Sequence, residues 1–220
     1  MQFLDSDSLG RALRLGAMLS FLLVWTTACQ QVPASGAPRG AVLYSNCEPC
    51  HGADGLGRPD IEAPAIAGLG AWYIQGQVKK FQTGLRGAHP DDFGGLRMRP
   101  MSKSLQTDED VAAVAEYVSG LPSHKPGRTI LDGNPGRGGQ LYKPCEACHG
   151  ANGAGSEALN SPRINSNYDW YLAKQLQHFK SGIRGAREGD ATGAQMASMV
   201  ESLPDEQAMK DVVAYIQKLK

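Results

Sequence analysis

Residues 47–51 read Cys-Glu-Pro-Cys-His, and residues 145–149 read Cys-Glu-Ala-Cys-His. The second segment follows the first by 98 residues, and the chain matches itself without a gap when it is shifted by that distance. Other pairs in the same register are Leu43-Tyr44 with Leu141-Tyr142, Trp72-Tyr73 with Trp170-Tyr171, Gln77 with Gln175 and Phe81 with Phe179. Such a self-match indicates a tandem duplication. Because each copy holds a complete pattern, the sequence predicts two small domains.

The duplication also predicts where the domains begin and end. The first covers residues 38–122 and the second covers residues 134–220. A linker that contains Pro and Gly joins them over residues 123–133. In front of the first domain, residues 29–37 form a short polar tether.

Residues 1–28 have the pattern of a secretory signal peptide. Arg11 and Arg14 precede an apolar run over residues 15–25, and small residues follow that run. This order of basic, apolar and small residues is typical of an export signal. The run is too short to cross a bilayer, which takes about 20 apolar residues. We therefore expect a mature protein in the periplasm.

Cys29 leaves two interpretations open. The segment around it resembles the cleavage motif of a bacterial lipoprotein, although Thr26 stands where an aliphatic residue is usual. In that case the thiol is lipidated and anchors the protein to a membrane. Otherwise Cys29 is an incidental thiol beside an ordinary cleavage site. We expect lipidation, because the repeated motif accounts for every other cysteine.

Composition excludes one class of function. The chain has 22 basic and 22 acidic residues, so it lacks the positive excess that a general nucleic-acid binder needs. Aromatic residues make up only 7% of the chain, which leaves little bulk for two apolar cores. A bound hydrophobic cofactor would supply part of that bulk.

Apolar residues recur with helical spacing in both copies. Ile74, Val78 and Phe81 follow one another at intervals of four and three residues, as do Leu172, Leu176 and Phe179 in the second copy. The last helix of the first copy is predicted to open at Thr107, and its counterpart near Asp205. No stretch alternates apolar and polar residues for long enough to predict a strand. The predicted fold class is all-α.

The pattern Cys-x-x-Cys-His is typical of c-type haem attachment. The two thiols bond to the haem vinyl groups, and the histidine ligates the iron. A zinc ribbon needs its two cysteine pairs about 15–20 residues apart, and a thioredoxin-like motif needs a βαβ setting. Disulfides suit an exported protein but leave the repeated histidine unexplained. The sequence therefore predicts two haem c groups, attached through Cys47, Cys50, Cys145 and Cys148 and ligated by His51 and His149.

Two methionine pairs are candidates for the remaining axial position of each iron. Met98 and Met101 lie before the last helix of the first copy, in a stretch predicted to be weakly structured. Met196 and Met199 match them in the second copy. Filling of core gaps is the ordinary role of methionine, but these pairs have polar neighbours. His/Met ligation raises the reduction potential of a haem and fills both axial positions. We expect His89, His124 and His178 to be solvated.

Residues 38–220 resemble the dihaem cytochrome c4 family, which is built from two class I cytochrome c domains. The resemblance is carried by two Cys-x-x-Cys-His-Gly-x-x-Gly segments, residues 170–176 and the Met-x-x-Met pairs. It implies an all-α fold of two tandem domains, each wrapped around one covalently bound haem. It also implies that the earlier methionine of each pair, Met98 and Met196, is the axial ligand. Arg86 and Arg184 are then either partners of the haem propionates or exposed side chains.

The resemblance implies a periplasmic electron carrier rather than an enzyme. Its expected redox partners are a quinol-oxidising complex or periplasmic dehydrogenase as donor, and a terminal oxidase or reductase as acceptor. One alternative is the haem subunit of a dedicated complex, such as a flavocytochrome c sulfide dehydrogenase. The other is a dihaem enzyme with an open iron site. Two equivalent methionine pairs favour the carrier.

Overall fold

The computed structural model describes residues 36–130 and 132–220. The predicted signal peptide and Cys29 lie outside this part of the chain. The elements within it are helices, and the β-bridges Arg58–Ala63 and Ser156–Ser161 are isolated pairs rather than strands. The prediction of an all-α fold is confirmed. Among the residues described, no helix has both the length and the apolar character that crossing a membrane requires.

Each copy of the repeat folds into the same series of helices. The first copy contains α1 (Gly36–Tyr44), α2 (Glu48–His51), α3 (Ala71–Thr83), α4 (Phe93–Ser102) and α5 (Asp108–Ser119), with a 3-10 turn at Pro59–Ile61. The second copy contains α6 (Pro135–Leu141), α7 (Lys143–His149), α8 (Asp169–Lys180), α9 (Ala191–Val200) and α10 (Glu206–Ile216), with a 3-10 turn at Glu157–Leu159.

The last helix of each copy is capped by the residue at which the sequence predicted its start. The hydroxyl oxygen of Thr107 accepts a hydrogen bond from the backbone N–H of Asp110 at 3.1 Å. The carboxylate of Asp205 accepts one from the N–H of Ala208 at 2.7 Å. Such caps satisfy N–H groups that have no partner inside the helix. The helices that follow supply the centre of each core, where Val111, Val114, Val118, Val212 and Ile216 are buried.

The methionine pairs lie in helices, so the expectation of weakly structured stretches was wrong. Asp92 caps α4 and accepts a hydrogen bond from the N–H of Gly95 at 2.9 Å. Asp190 caps α9 in the same way through Gly193, also at 2.9 Å. Both aspartates are buried. Packing therefore fixes these helices, although Gly and Pro give α4 a poor intrinsic propensity.

The first and last helices of each copy cross in very close contact. A Cβ atom on Gly40 of α1 would lie only 2.1 Å from the carbonyl oxygen of Ala113 in α5. A Cβ on Gly138 of α6 would lie 1.9 Å from the carbonyl oxygen of Asp211 in α10. A side chain at either glycine would push the helices apart. The crossing depends on the absence of side chains at these two positions.

In each copy an arginine of the first helix donates a hydrogen bond to an aspartate of the last helix. The Nε of Arg39 donates to the carboxylate of Asp110 at 2.9 Å, and in the second copy Arg137 donates to Asp211 at 3.0 Å. The two arginines match in the repeat, whereas the two aspartates differ by one helical turn. The arginine–aspartate contact is therefore present in both copies, although its aspartate lies one turn farther along the last helix in the second copy.

The linker is held along the second domain by a buried carboxylate. Asp169 at the start of α8 is 1% exposed and accepts hydrogen bonds from the backbone N–H groups of Thr129 and Ile130, at 2.5 and 2.7 Å. The hydroxyl of Thr129 donates to it as well, at 2.6 Å. Burial alone would raise the pKa of this carboxylate. The hydrogen bonds stabilise its ionised form, and the pKa is lowered as a result.

We expect Gly40→Ala to lower the free energy of unfolding by about 1–3 kcal/mol, the usual cost of forcing extra atoms into a packed contact. Gly76→Ala in α3 is the matched control, because a Cβ there has nothing within 4 Å. Removing a helical glycine at an open position should stabilise by about 0.5–1 kcal/mol. Guanidinium unfolding followed by circular dichroism measures both. Equal effects of the two substitutions would show that the crossing does not need Gly40.

Candidate functional site

One cavity of about 360 Å³ is lined by residues of both copies. Its wall is mainly apolar and includes Leu69, Ile74, Leu172 and Leu176 of the two cores. The structure brings all eight predicted cofactor-binding residues to this wall: Cys47, Cys50, His51, Met98, Cys145, Cys148, His149 and Met196. The two sets are therefore parts of one continuous site.

The two motif histidines are buried and held by the backbone. His51 is 6% exposed, and its Nδ1 lies 2.9 Å from the carbonyl oxygen of Pro64. His149 is 8% exposed, with Nδ1 also 2.9 Å from the carbonyl oxygen of Pro162. Because a carbonyl oxygen only accepts, Nδ1 carries the proton and Nε2 keeps its lone pair. A hydrogen bond of this kind orients a metal-binding imidazole.

Burial also keeps both imidazoles in the form that binds a metal. The loss of hydration lowers the pKa of His51, although its hydrogen bond to Pro64 acts in the opposite direction. The same two influences lower the pKa of His149. A neutral imidazole presents its lone pair at neutral pH.

No disulfide joins any two of the four motif cysteines. Burial raises the pKa of Cys47 to about 11 and also raises the pKa of Cys145. Burial thus disfavours, at Cys47 and Cys145, the thiolate form that redox-active dithiol motifs use. Within the described ranges, no three His, Cys, Asp or Glu side chains converge as a metal-binding group. The surroundings of Cys47 and Cys145 do not favour a dithiol catalyst.

The two methionines of each pair differ in exposure. Met98 and Met196 are half-buried, whereas Met101 and Met199 are 41% and 37% exposed. All four line the cavity, and Met196 also packs against the core of the second copy. The earlier methionine of each pair is therefore the better shielded from solvent.

Two arginines are buried where the copies meet. Arg86 is 9% exposed and donates to Gln77, Tyr171 and Gln175 at 2.9, 2.9 and 3.1 Å. Arg184 is 8% exposed and makes the equivalent bonds to Gln175 and Gln77 at 2.6 and 3.0 Å. Each guanidinium also lies over a phenylalanine ring of its own copy. The alternative in which these arginines are exposed is wrong.

This donor set fits haem. A buried guanidinium needs a counter-charge, yet the hydrogen-bond partners of Arg86 and Arg184 in the described chain are neutral amides and phenols. The Nε of Arg86 is buried without a partner, and so is the indole Nε1 of Trp170 on the cavity wall. The propionate carboxylates of two haems would meet these donors.

Glutamines and tyrosines complete this network, and sequence reasoning gave them no role. The amide oxygens of Gln77 and Gln175 each accept hydrogen bonds from both arginines, so each amide links the two copies. The pKa of Tyr73 is lowered by the nearby Arg184 and Arg86, although burial acts in the opposite direction. The only signal in the sequence was the identity of these positions between the copies.

A second pair of contacts across the domain junction differs between the copies. Lys80 of α3 forms an ion pair with Asp190 of the other copy and donates to Thr192 at 2.6 Å. The matching pair is His178 and Asp92, with Nδ1 and Oδ1 3.8 Å apart. His178 is 6% exposed, so the expectation that it is solvated was wrong. Contacts with the other domain bury it.

Comparison with known proteins finds similarity over both copies. Residues 37–122 and 136–220 match the sequence model of the family described as Cytochrome c. Cytochrome c4 of Azotobacter vinelandii is 32% identical, over 92% of this chain and 98% of the relative. The thiosulfate dehydrogenase electron acceptor of Thiomonas intermedia is 31% identical, over 68% of each chain. The crystal structure of reduced recombinant cytochrome c4 from Pseudomonas stutzeri has a TM-score of 0.70 at 26% identity, over 85% of this chain and 100% of that one.

We expect His178 to make stability depend on pH. Burial lowers its pKa; Asp92 opposes this, while Lys174, Arg86 and Arg184 add to it. The unfolded state, with a histidine pKa of about 6.5, therefore binds the proton more readily. As the pH falls below that value toward the folded pKa, the protein loses stability, by up to about 1.4 kcal/mol per pH unit for one proton.

His178→Gln should therefore flatten the dependence of the unfolding free energy on pH between about 7 and 5. His124→Gln, at an exposed histidine of the linker, is the matched control for the removal of one histidine. Guanidinium titrations at a series of pH values measure the slope. An unchanged slope in His178→Gln would contradict the assigned role of this residue.

Proposed function

Because the chain belongs to the cytochrome c family, and within it to the dihaem cytochrome c4 proteins, we propose that it is a periplasmic electron carrier between a donor complex and a terminal oxidase or reductase. It carries two covalent haem c groups, attached through Cys47 and Cys50 and through Cys145 and Cys148. The haem irons supply one-electron redox chemistry. The observation that carries the proposal is that both copies present the same ligand set to one cavity.

We assign the axial ligands to His51 and Met98 in the first domain and to His149 and Met196 in the second. The hydrogen bonds from Nδ1 to Pro64 and Pro162 support the histidines, because they fix the imidazole rings in one orientation. Greater burial supports the earlier methionine of each pair. A site whose ligands stay in place in both oxidation states suits electron transfer.

The matching methionines of the two domains favour a carrier role over a catalytic one. An enzyme with an open iron site needs one domain without a second axial ligand. Both domains place a half-buried methionine on the cavity wall, so neither domain has the asymmetry that such an enzyme requires. The buried guanidiniums would hold the propionates of the two haems in place rather than activate a substrate.

The donor that we favour is a periplasmic dehydrogenase. The relative from Thiomonas intermedia is named as the electron acceptor of a thiosulfate dehydrogenase, and it matches 68% of this chain. A small inorganic sulfur compound is then the source of the electrons. A quinol-oxidising complex is the second candidate donor, and stopped-flow reduction by each isolated complex would separate the two.

We further propose that the mature protein begins at a lipidated Cys29 on the periplasmic side of a membrane. The support is the order of basic, apolar and small residues ahead of Cys29. Mass spectrometry of the mature N-terminus should find a diacylated cysteine, and Cys29→Ser should release the protein into the soluble periplasmic fraction. An unmodified N-terminal residue would contradict the anchor and leave the carrier function intact.

The ligand assignment predicts distinct effects of the four methionines. In the family that this chain resembles, sulfur ligation of ferric haem gives a weak charge-transfer band at the red end of the visible spectrum. Met98→Ala should remove about half of that band, since one of the two haems would lose its sulfur ligand, and Met196→Ala should remove the other half. Each change should also lower the potential of its haem, because thioether ligation raises it. Absorption spectra and redox titrations measure both effects.

Met101→Ala and Met199→Ala are the matched controls. Both side chains are exposed, so their truncation should leave the band in place and cost less than the roughly 2–5 kcal/mol of a buried methionine. If the two sets of variants exchange their effects, the ligands are Met101 and Met199 and the carrier function stands. If the parent protein lacks the band at one haem and binds carbon monoxide there, the carrier proposal is wrong.

A further inference from the structure

Helix α4 of the first domain exposes large apolar side chains to solvent. Phe93 is 67% exposed, Met101 41% and Leu96 39%. Successive residues of a helix advance by about 100°, so Phe93, Leu96 and Pro100 lie on one side of α4, with Arg97 and Met101 beside them. We call these five residues the α4 face. The opposite side of the helix carries Gly95 and Ser102, which are buried.

The α4 face adjoins the cofactor cavity. Arg97 and Met101 belong to the exposed face and also line the cavity. Met98, the proposed axial ligand, lies on the same helix, between the exposed face and the buried side. A protein that covers the α4 face would therefore lie at the edge of the first haem site, where a short transfer distance is available.

The charged residues of α4 and of the turn after it are basic. Carboxylates flank this stretch, where Asp91 lies near His89 and Asp108 is paired with Lys79. Residues 93–107 contain Arg97, Arg99 and Lys103 and no acidic residue. Arg97 and Lys103 are exposed and form no salt bridge with the residues that the structure describes. The carboxylate of Glu62, which Arg97 influences, is paired with Lys174 at 2.7 Å. The face is thus apolar at its centre, with basic side chains along α4 and at its C-terminal end.

The matching face of the second domain has neither property. On α9, alanines take the places of Phe93 and Leu96, and Gln195 takes the place of Arg97. Farther along, Ala197 and Glu201 stand where the first domain has Arg99 and Lys103. The four methionines on the cavity wall match between the copies, whereas the outer positions of this face have diverged. The divergence assigns the apolar and basic surface to the first domain alone.

We propose that the α4 face is the docking site for a redox protein whose contact surface has an apolar centre ringed by carboxylates. This proposal rests on the proposed carrier function. Apolar contact excludes water at the point of transfer, and opposite charges speed the encounter. One electron leaves the reduced partner and reduces this protein by one electron, and no bond forms or breaks. The small size of the face suits a transient complex.

A flavodoxin in its fully reduced form is a suitable probe, since it is an acidic redox protein. Photoreduced lumiflavin, a small neutral reductant that needs no docking surface, is the reference. Stopped-flow absorbance measures the second-order rate constant for reduction of the holoprotein by each reductant at low ionic strength. The combined substitution Phe93→Ala and Leu96→Ala gives the first domain the alanines of the second. Lys103→Glu gives it the matching acidic residue.

With flavodoxin, the double alanine variant should react about 3–10-fold more slowly, the usual effect of losing interface anchors. Lys103→Glu should slow the reaction by about 10-fold at low salt, and the difference should vanish at high salt, where charges are screened. The matched controls are Leu159→Ala and Lys218→Glu, at exposed positions of the second domain. They should react like the parent, and every variant should react with lumiflavin at the parent rate.

Each remaining outcome overturns one proposal. Variants that match the parent with flavodoxin, or a parent that only lumiflavin reduces, would overturn docking at the α4 face and leave the carrier function standing. Variants that are slowed equally with both reductants would show that these residues act on the haem environment instead of on docking. A holoprotein that neither reductant reduces would overturn the carrier function itself. Circular dichroism verifies that each variant is folded.

Discussion

Two positive charges, buried where the domains meet, constrain the whole arrangement. The hydrogen-bond partners of Arg86 and Arg184 in the described chain are neutral amides and phenols. Burying such a pair without carboxylates is unfavourable. The propionates of the two haems would supply the missing charge and complete the junction between the domains. Residues of each apolar core also form part of the cavity wall. Bound haems would therefore add apolar bulk to a chain that has few aromatic residues.

The duplicated halves remain alike where they hold the cofactors and differ where they meet other surfaces. The hydrogen bond from the motif histidine to a proline carbonyl has the same length in both copies. By contrast, the pair of Lys80 with Asp190 becomes His178 with Asp92, and the exposed Phe93 has an alanine as its counterpart. One copy therefore acquires a titratable contact at the junction, and the other acquires an apolar face at the surface. The two copies present matching cysteines, histidines and methionines to the cavity, but the surroundings of these residues differ.

Local chemistry accounts for what could be predicted. Both cysteines and the histidine of each motif lie within about one helical turn, so their joint role is fixed by spacing alone. The caps at Thr107 and Asp205 involve atoms only three residues away, and they lie where the sequence placed them. The expectation of weakly structured stretches at α4 and α9 was wrong, because it followed the low helix propensity of Gly in both segments and of Pro in α4. There the close approach of Gly87 to the backbone of Gly95 decides the conformation, and that contact is made by packing.

The duplication, the all-α class and the attachment of two haems can be predicted from the sequence, because each follows from a repeat or from residues a few positions apart. Which polar groups are buried depends instead on the tertiary structure. Arg86 meets Tyr171 and Gln175 across 85 and 89 residues of chain, and no local pattern encodes such a meeting. His178 looked like a surface histidine, yet the other domain covers it. Burial at a domain junction depends on the relative placement of two folded units, and that placement is a property of the assembled chain.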